Sequence, residues 1–183
     1  MDVYDFDKTI YRKDSTIDFF LFCLRRHPAV ALSLPRTLCA AVPFLLGRRS
    51  KTAFKQVFFR FLRRLEQVDD DVALFWRTHK DRLAGPCAPQ PDDMVISASP
   101  EFLLAPICKE NGWLLIASRV DPKTGVYEGE NCLGEEKVRR FRELFPDESI
   151  AVFYSDSYSD APLAAIAQRA FLVRKGALKA WDS

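Results

Sequence analysis

Asp5 and Asp7 stand one residue apart in V-Y-D-F-D-K-T-I-Y, residues 3–11, and Thr9 follows two positions later. Ser97 and Ser99 come after the apolar run M-V-I, Lys137 sits in G-E-E-K-V, and Asp156, Ser157 and Asp160 follow A-V-F-Y. Carboxylates held close repel one another, so bringing four of them to one place calls for a counter-charge. Mg²⁺ is a hard cation that takes carboxylate and water oxygens. With such a cation present, Lys137, hydroxyls and backbone N–H groups can hold a phosphate dianion. One aspartate can then attack phosphorus. A second, two residues on, can protonate the leaving oxygen and later activate water. Two duties for two acids explain why like charges open the chain.

These residues need a scaffold that makes them neighbours. Val3 to Phe6 is a short apolar run ending in polar residues, as at the carboxyl end of a buried strand. After the Pro-rich stretch G-P-C-A-P-Q-P (85–91), strand-like runs (M-V-I-S-A-S, W-L-L-I-A-S, A-V-F-Y-S, A-F-L-V) alternate with helix-like ones. That order predicts an α/β fold: a Rossmann-like parallel sheet flanked by helices, with ligands beyond the carboxyl ends of the strands. A hairpin is expected over V-D-P-K-T-G-V-Y-E-G, turning at Lys123 to Gly125. Residues 14–89 read as an all-helical cap inserted after the first strand, leaving 1–13 and 90–183 as the catalytic core. In the cap, Asp14 or Ser15 caps a helix with Ile17, Phe19, Phe20, Leu21 and Leu24 on its apolar face, ended by His27-Pro28. Ser50 caps another that carries Phe54, Val57, Phe58, Phe61, Leu62 and Leu65 at helical spacing. A fourth, around 70–83, follows an acidic cap.

Charge is unevenly spread. The net charge is +2, yet Phe19–Leu65 holds ten Lys or Arg and no Asp or Glu, which leaves 17 basic against 25 acidic residues elsewhere, a net of −8. Within this basic part, residues 29–46 are apolar but interrupted by Pro35, Arg36 and Pro43. Two readings stay open: the buried centre of the cap, with arginine stems over apolar surface, or peripheral contact with an anionic membrane through residues 25–64. A spanning helix is not expected with Pro35-Arg36 near the middle. Nucleic acid is not expected either, because the phenylalanines fall at helix-core spacing and leave few for stacking. Five scattered cysteines without a C-x-x-C pair read as buried thiols in a reducing compartment. Asp2 directly follows Met1 with no basic leader, so a cytoplasmic location is expected.

In order, D-F-D-K-T, V-I-S-A-S-P, G-E-E-K-V and Y-S-D-S-Y-S-D-A-P-L resemble the motifs of the haloacid dehalogenase superfamily of phosphatases. The chain is most similar to the phosphoserine phosphatase-like subfamily, whose helical cap follows the first motif. The resemblance implies a Mg²⁺-dependent phosphatase with Asp5 as nucleophile and Asp7 as general acid and base. It implies phosphate binding by Thr9, Ser97, Ala98, Ser99 and Lys137, and metal binding by Asp5, Asp7 through its carbonyl, Asp156 and Asp160. Ser99 also suits a plain helix N-cap, and Asp160 suits a cap or a group that orients the metal's water. The third motif departs from the N-x-K-G of phosphoserine phosphatases: Asn131-Cys132-Leu133-Gly134 lacks the lysine, which comes at Lys137. That departure argues against phosphoserine itself. C-L-G-E-E-K-V with Y-S-D-S resembles the bacterial phosphatidylglycerophosphate phosphatases of the C type. Expected partners are therefore a phosphorylated metabolite or a lipid phosphate; a non-enzymatic phosphate binder is the third reading, disfavoured by the presence of both Asp5 and Asp7.

Overall fold

The computed structural model describes residues 1–48, 51–83 and 86–181. Its strands are β1 (Val3–Tyr4), β2 (Met94–Pro100), β3 (Leu114–Ser118), β4 (Ile150–Ser155), β5 (Ala167–Arg174) and β6 (Ala177–Ala180), in spatial order β3-β2-β1-β4-β5-β6. The first five run parallel, as the alternating pattern predicts. β6 pairs antiparallel with β5 and makes the sheet mixed. It was not legible because A-L-K-A is exposed along its whole length and carries no two-residue alternation. The alternation in the central strands sets the two faces of the sheet. Val3, Met94 and Ile96 pack to one side with Phe141, Phe153 and Leu163; Tyr4 and Val95 pack to the other with Leu103, Leu104 and Ile107.

The helices are α1 (Ser15–Arg26), α2 (Leu34–Leu45), α3 (Lys51–Phe58), α4 (Val68–His79), α5 (Glu101–Asn111), α6 (Glu135–Leu144) and α7 (Ala161–Ala165), and α1 to α4 lie between β1 and β2. Asp14 caps α1, accepting from the Ile17 N–H at 2.9 Å. Ile17 and Leu21 are exposed, so the buried face of α1 is Phe19, Phe20 and Cys23. The apolar run 54–65 divides into α3 and a 3₁₀ turn, Phe59–Arg64. Ser50, expected to cap it, lies outside the described residues, as does Gly85 at the head of the Pro-rich stretch. For α4 the acids Asp69, Asp70 and Asp71 occupy the first turn rather than the cap, where they face the helix's partial positive charge. The segment 29–46 is not the buried centre of the helices: α2 buries only Ala40, and Leu38, Val42, Leu45 and Leu46 are exposed.

An aromatic cluster ties the helices together. Phe20 meets Phe58 and Phe61 at centroid distances of 5.0 and 5.1 Å, Phe19 meets Phe75 at 5.5 Å, and Phe75 meets Trp76 at 4.9 Å. Such pairs add about 0.5–1.5 kcal/mol each beyond burial. The same cluster continues into Val95, Leu103 and Leu104, and the Trp76 indole N–H donates to the Leu103 carbonyl at 2.6 Å. The inserted helices thus share one core with a face of the sheet. Tyr11 and Arg82, near the two ends of the insertion, both donate to Asp18.

The expected hairpin over 120–129 is reduced to a single antiparallel bridge, Val120 to Tyr127, inside a loop organised by Asp121, which accepts from the N–H groups of Lys123 and Thr124. Gly125 in this loop has φ +71°, and a Cβ there would lie 2.3 Å from the Phe59 carbonyl oxygen. Both the left-handed backbone and the close approach exclude a side chain. Gly125→Ala is expected to lower stability by about 2 kcal/mol or more in urea unfolding, and Gly129→Ala, with open space around it, by less.

Candidate active site

The order of strands places β1 between β2 and β4, so the carboxyl ends of all three meet where the chain's direction across the sheet changes. Ligands of open α/β sheets bind at this point. Asp5 continues the β1 ladder, donating its N–H to the Tyr154 carbonyl at 2.8 Å. The chain then folds tightly, with the Phe6 carbonyl accepting from Thr9, Ile10 and Tyr11 and with Lys8 at φ +60°. This turn carries Asp7 to the start of α1, where its Oδ1 accepts from the Ser15 N–H at 2.7 Å. Its Oδ2 accepts from the Ser99 hydroxyl at 2.5 Å. Ser99 in turn touches Thr16 Oγ1 at 2.9 Å and donates its N–H to Ser97 Oγ at 3.1 Å. Ser99 is therefore not a helix cap; it holds Asp7.

Lys137 enters from α6. Its ammonium donates to Asp5 Oδ1 and Asp160 Oδ2, both at 2.8 Å, and only 1% of the side chain is exposed. Asp160 also accepts from the Ser155 hydroxyl at 2.7 Å, so its carboxylate does not cap α7. Arg140 anchors α6 by donating to the carbonyls of Ala117 and Glu130, and Glu136 on the same helix accepts from Arg139 and Arg140 and holds the Arg140 guanidinium in place.

Burial raises the Asp5 carboxyl to about 7, with Asp160 and Asp7 adding to the rise and Lys137 opposing it. Burial likewise raises Asp7 to about 6, helped by Asp14 and opposed by the bonds from Ser99 and Ser15. Burial and the nearby Asp160 raise Asp156, and Lys8 works against them. Lys137 behaves differently: burial disfavours its charge, yet Asp5 and Asp160 hold its pKa above the ordinary range. The ion pair favours the charged form of both partners, but for Asp5 burial outweighs it. Stoichiometry adds to the difference. Asp5, Asp7, Asp156 and Asp160 line one cavity, and Lys137 is the cation buried among them. Lys8 reaches Asp156 only at 3.9 Å, with 61% of its side chain exposed.

The cavity encloses about 520 Å³. Its floor is polar, with Asp5, Asp7, Asp14, Asp156, Asp160, Ser97, Ser99, Asn131 and Lys137; its roof is apolar, with Ile17, Leu38, Ala41, Phe44, Phe54 and Phe58 from the inserted helices. Lys55 of α3 crosses between them and donates to the Ala98 carbonyl at 2.9 Å. Of the residues singled out in the sequence, Asp5, Asp7, Ser97, Ala98, Ser99, Lys137, Asp156 and Asp160 all line this space. Thr9 does not: it is fully buried behind the turn, and its hydroxyl has no partner. Lys55, Thr16 and Asn131 were missed. Nothing in the sequence distinguishes Lys55 from the other basic residues around it, whereas Asn131 heads the third motif and could have been read from it.

The donor set fits a hard divalent cation. It consists of oxygen atoms, carries more negative than positive charge, and includes Asp160 Oδ1, buried without a partner. Among the described residues, no three or more His, Cys, Asp and Glu side chains are already gathered around a point; Lys137 stands between Asp5 and Asp160.

The family model for haloacid dehalogenase-like hydrolases matches residues 3–165. The chain belongs to that family. Among relatives of this hydrolase, the protein CicA of Caulobacter vibrioides is 28% identical over 90% of this chain and 81% of its own length. A protein of unknown function from Bordetella pertussis Tohama I superposes with a TM-score of 0.72 at 22% identity, covering 93% of this chain and 87% of that one. A phosphoserine phosphatase solved as a phospho-aspartyl intermediate analogue superposes with a TM-score of 0.54 at 17% identity, covering 92% and 83%. The hydrolase thus has the α/β fold that its motifs imply, and that fold is shared with phosphoserine phosphatases.

Glu136 supplies a test of how α6 is anchored. Its arginine partners lower its carboxyl from 4.5 to about 2. A folded value below the unfolded one adds stability above the unfolded pKa, which is lost as pH falls through the folded pKa. In urea titrations the wild type is expected to exceed Glu136→Gln above pH 4.5, and the margin is expected to close as the pH approaches 2.

Proposed function

We propose that this hydrolase is a phosphomonoesterase that works through an aspartyl-phosphate on Asp5. The observation that carries this reading is the pair of differently held carboxylates. Asp5 is fixed by Lys137 at the end of β1 with an edge open to the cavity, its side chain 11% exposed. Asp7 sits two residues on, between a helix N-terminus and a hydroxyl, with its pKa raised to about 6. A carboxylate attacks phosphorus, the new P–O bond forms as the ester P–O bond breaks, and Asp7 gives its proton to the leaving alcohol oxygen. Asp7, now a base, takes a proton from water as the water oxygen attacks the acyl phosphate. Phosphate departs, and both aspartates return to their starting states. A pKa near neutrality suits a group that must act as acid and then as base. Lys137 offsets charge on the phosphoryl oxygens, and the Ser97 hydroxyl and the backbone N–H of Ala98 bind them, with Ser99 holding Ser97 and Asp7 in place. The residues that would hold Mg²⁺ are Asp5, Asp7, Asp156 and Asp160, and the ion would neutralise charge on the transferring phosphate.

The apolar roof favours an ester whose organic part is largely hydrocarbon. A lipid phosphate, as the resemblance to phosphatidylglycerophosphate phosphatases suggests, meets that description better than a small polar metabolite does. With p-nitrophenyl phosphate, Asp5→Asn is expected to keep its circular dichroism spectrum while turnover falls at least about a thousandfold. Full turnover by that variant would remove the mechanism. Asp7→Asn is expected to cost about a hundredfold or more on alkyl phosphates and less on aryl phosphates, whose leaving group needs no proton. Chelation of divalent ions should abolish hydrolysis by the wild type, and Mg²⁺ should restore it.

A further inference from the structure

α2 carries two apolar faces. Thr37, Ala41 and Phe44 line the cavity, and Phe44 stacks on Phe54 with centroids 4.9 Å apart. On the adjoining face Val42, Leu45 and Leu46 are 59%, 79% and 63% exposed, at i, i+3, i+4 spacing, and Leu38, 65% exposed at the cavity's rim, joins the two faces. Leu32, in the preceding 3₁₀ turn, is also 65% exposed. Contiguous aliphatic surface of this kind marks a binding site.

Charge decides what covers it. Phe19–Leu65 holds ten basic residues and no acid, and the remainder of the chain carries −8. A second copy of the chain seated on the stripe would set one basic region against another. A negatively charged bilayer meets it with the opposite sign, and the acidic remainder of the molecule favours turning this side toward such a surface. Arg25, Arg36 and Arg48, before, within and after this apolar segment, are exposed, and arginine stems suit the depth of lipid headgroups. Pro28–Leu45 is, among the described residues, a segment long and apolar enough by composition to cross a membrane. Arg36 near its middle, Pro43 within it, and an inner face committed to the cavity favour lying on the bilayer over spanning it.

We propose that the exposed stripe of α2 docks the protein on an anionic membrane, with the helix in the interfacial plane and its arginines among the headgroups. Docking does not depend on the proposed hydrolysis, and its readout is binding alone. The full chain is mixed with vesicles of phosphatidylcholine, with or without phosphatidylglycerol, and sedimented. The wild type is expected to pellet with the phosphatidylglycerol vesicles at low salt and to release as salt rises. Val42→Asp combined with Leu45→Asp, at positions outside the cavity lining, is expected to bind at least about tenfold more weakly, with unchanged circular dichroism and unchanged hydrolysis of p-nitrophenyl phosphate. Equal binding by both proteins, or no wild-type binding at low salt, overturns the proposal. So does a concentration-dependent dimer that the double variant abolishes while vesicles capture neither protein, which would assign the stripe to a second copy.

Discussion

One buried ammonium holds the floor of this molecule in place. Lys137 lies between Asp5 at the end of β1 and Asp160 just beyond β4, so it joins two strand ends that would otherwise carry uncompensated negative charge into a closed space. Removing one partner from such a pair leaves a buried charge and costs about 3–5 kcal/mol. The placement of α6 follows from this requirement. Arg140, held by Glu136, ties α6 to the carbonyls of Ala117 and Glu130 while Lys137 of the same helix enters the floor. The site is still short of positive charge: burial, and then the neighbouring acids, lift Asp5 and Asp7, and the same setting prepares the floor for a cation and a phosphate group. Chemistry and stability here draw on a single electrostatic imbalance.

Above that floor the inserted helices do two things. Their aromatic rings merge with one face of the sheet, so the roof is fixed relative to the strand ends. Their apolar side chains also form the upper wall of the cavity, which gives a polar end for phosphate and an apolar end for whatever the phosphate is attached to. Lys55 spans the two, tying α3 to the carbonyl of Ala98.

How much of this could be read from the sequence depends on how local the signal was. The central parallel strands β1, β2 and β4 were legible because their apolar runs are largely buried on both sides. The motif residues were legible because carboxylates and hydroxyls at strand ends have few other uses. Thr9 was misread because spacing alone cannot tell which way a tight turn throws a side chain, and here it faces the interior. β6 and the α2 surface were hard for the opposite reason: one lacks any apolar pattern, and the other is apolar on sides that composition cannot assign to core or solvent. Lys55 depends on a contact 43 positions away in the chain, which no local pattern encodes.

The union of the helical insertion with the sheet's core constrains traffic through the cavity. Swinging the insertion aside as a rigid lid would strip Phe75 and Trp76 from Leu103 and Leu104, at about 1.5–3 kcal/mol for each large side chain uncovered. Hinged opening is therefore the costly route. Breathing at the margin is cheaper: α2 contributes just one buried residue to the interior, and its displacement widens the mouth without breaching the aromatic core.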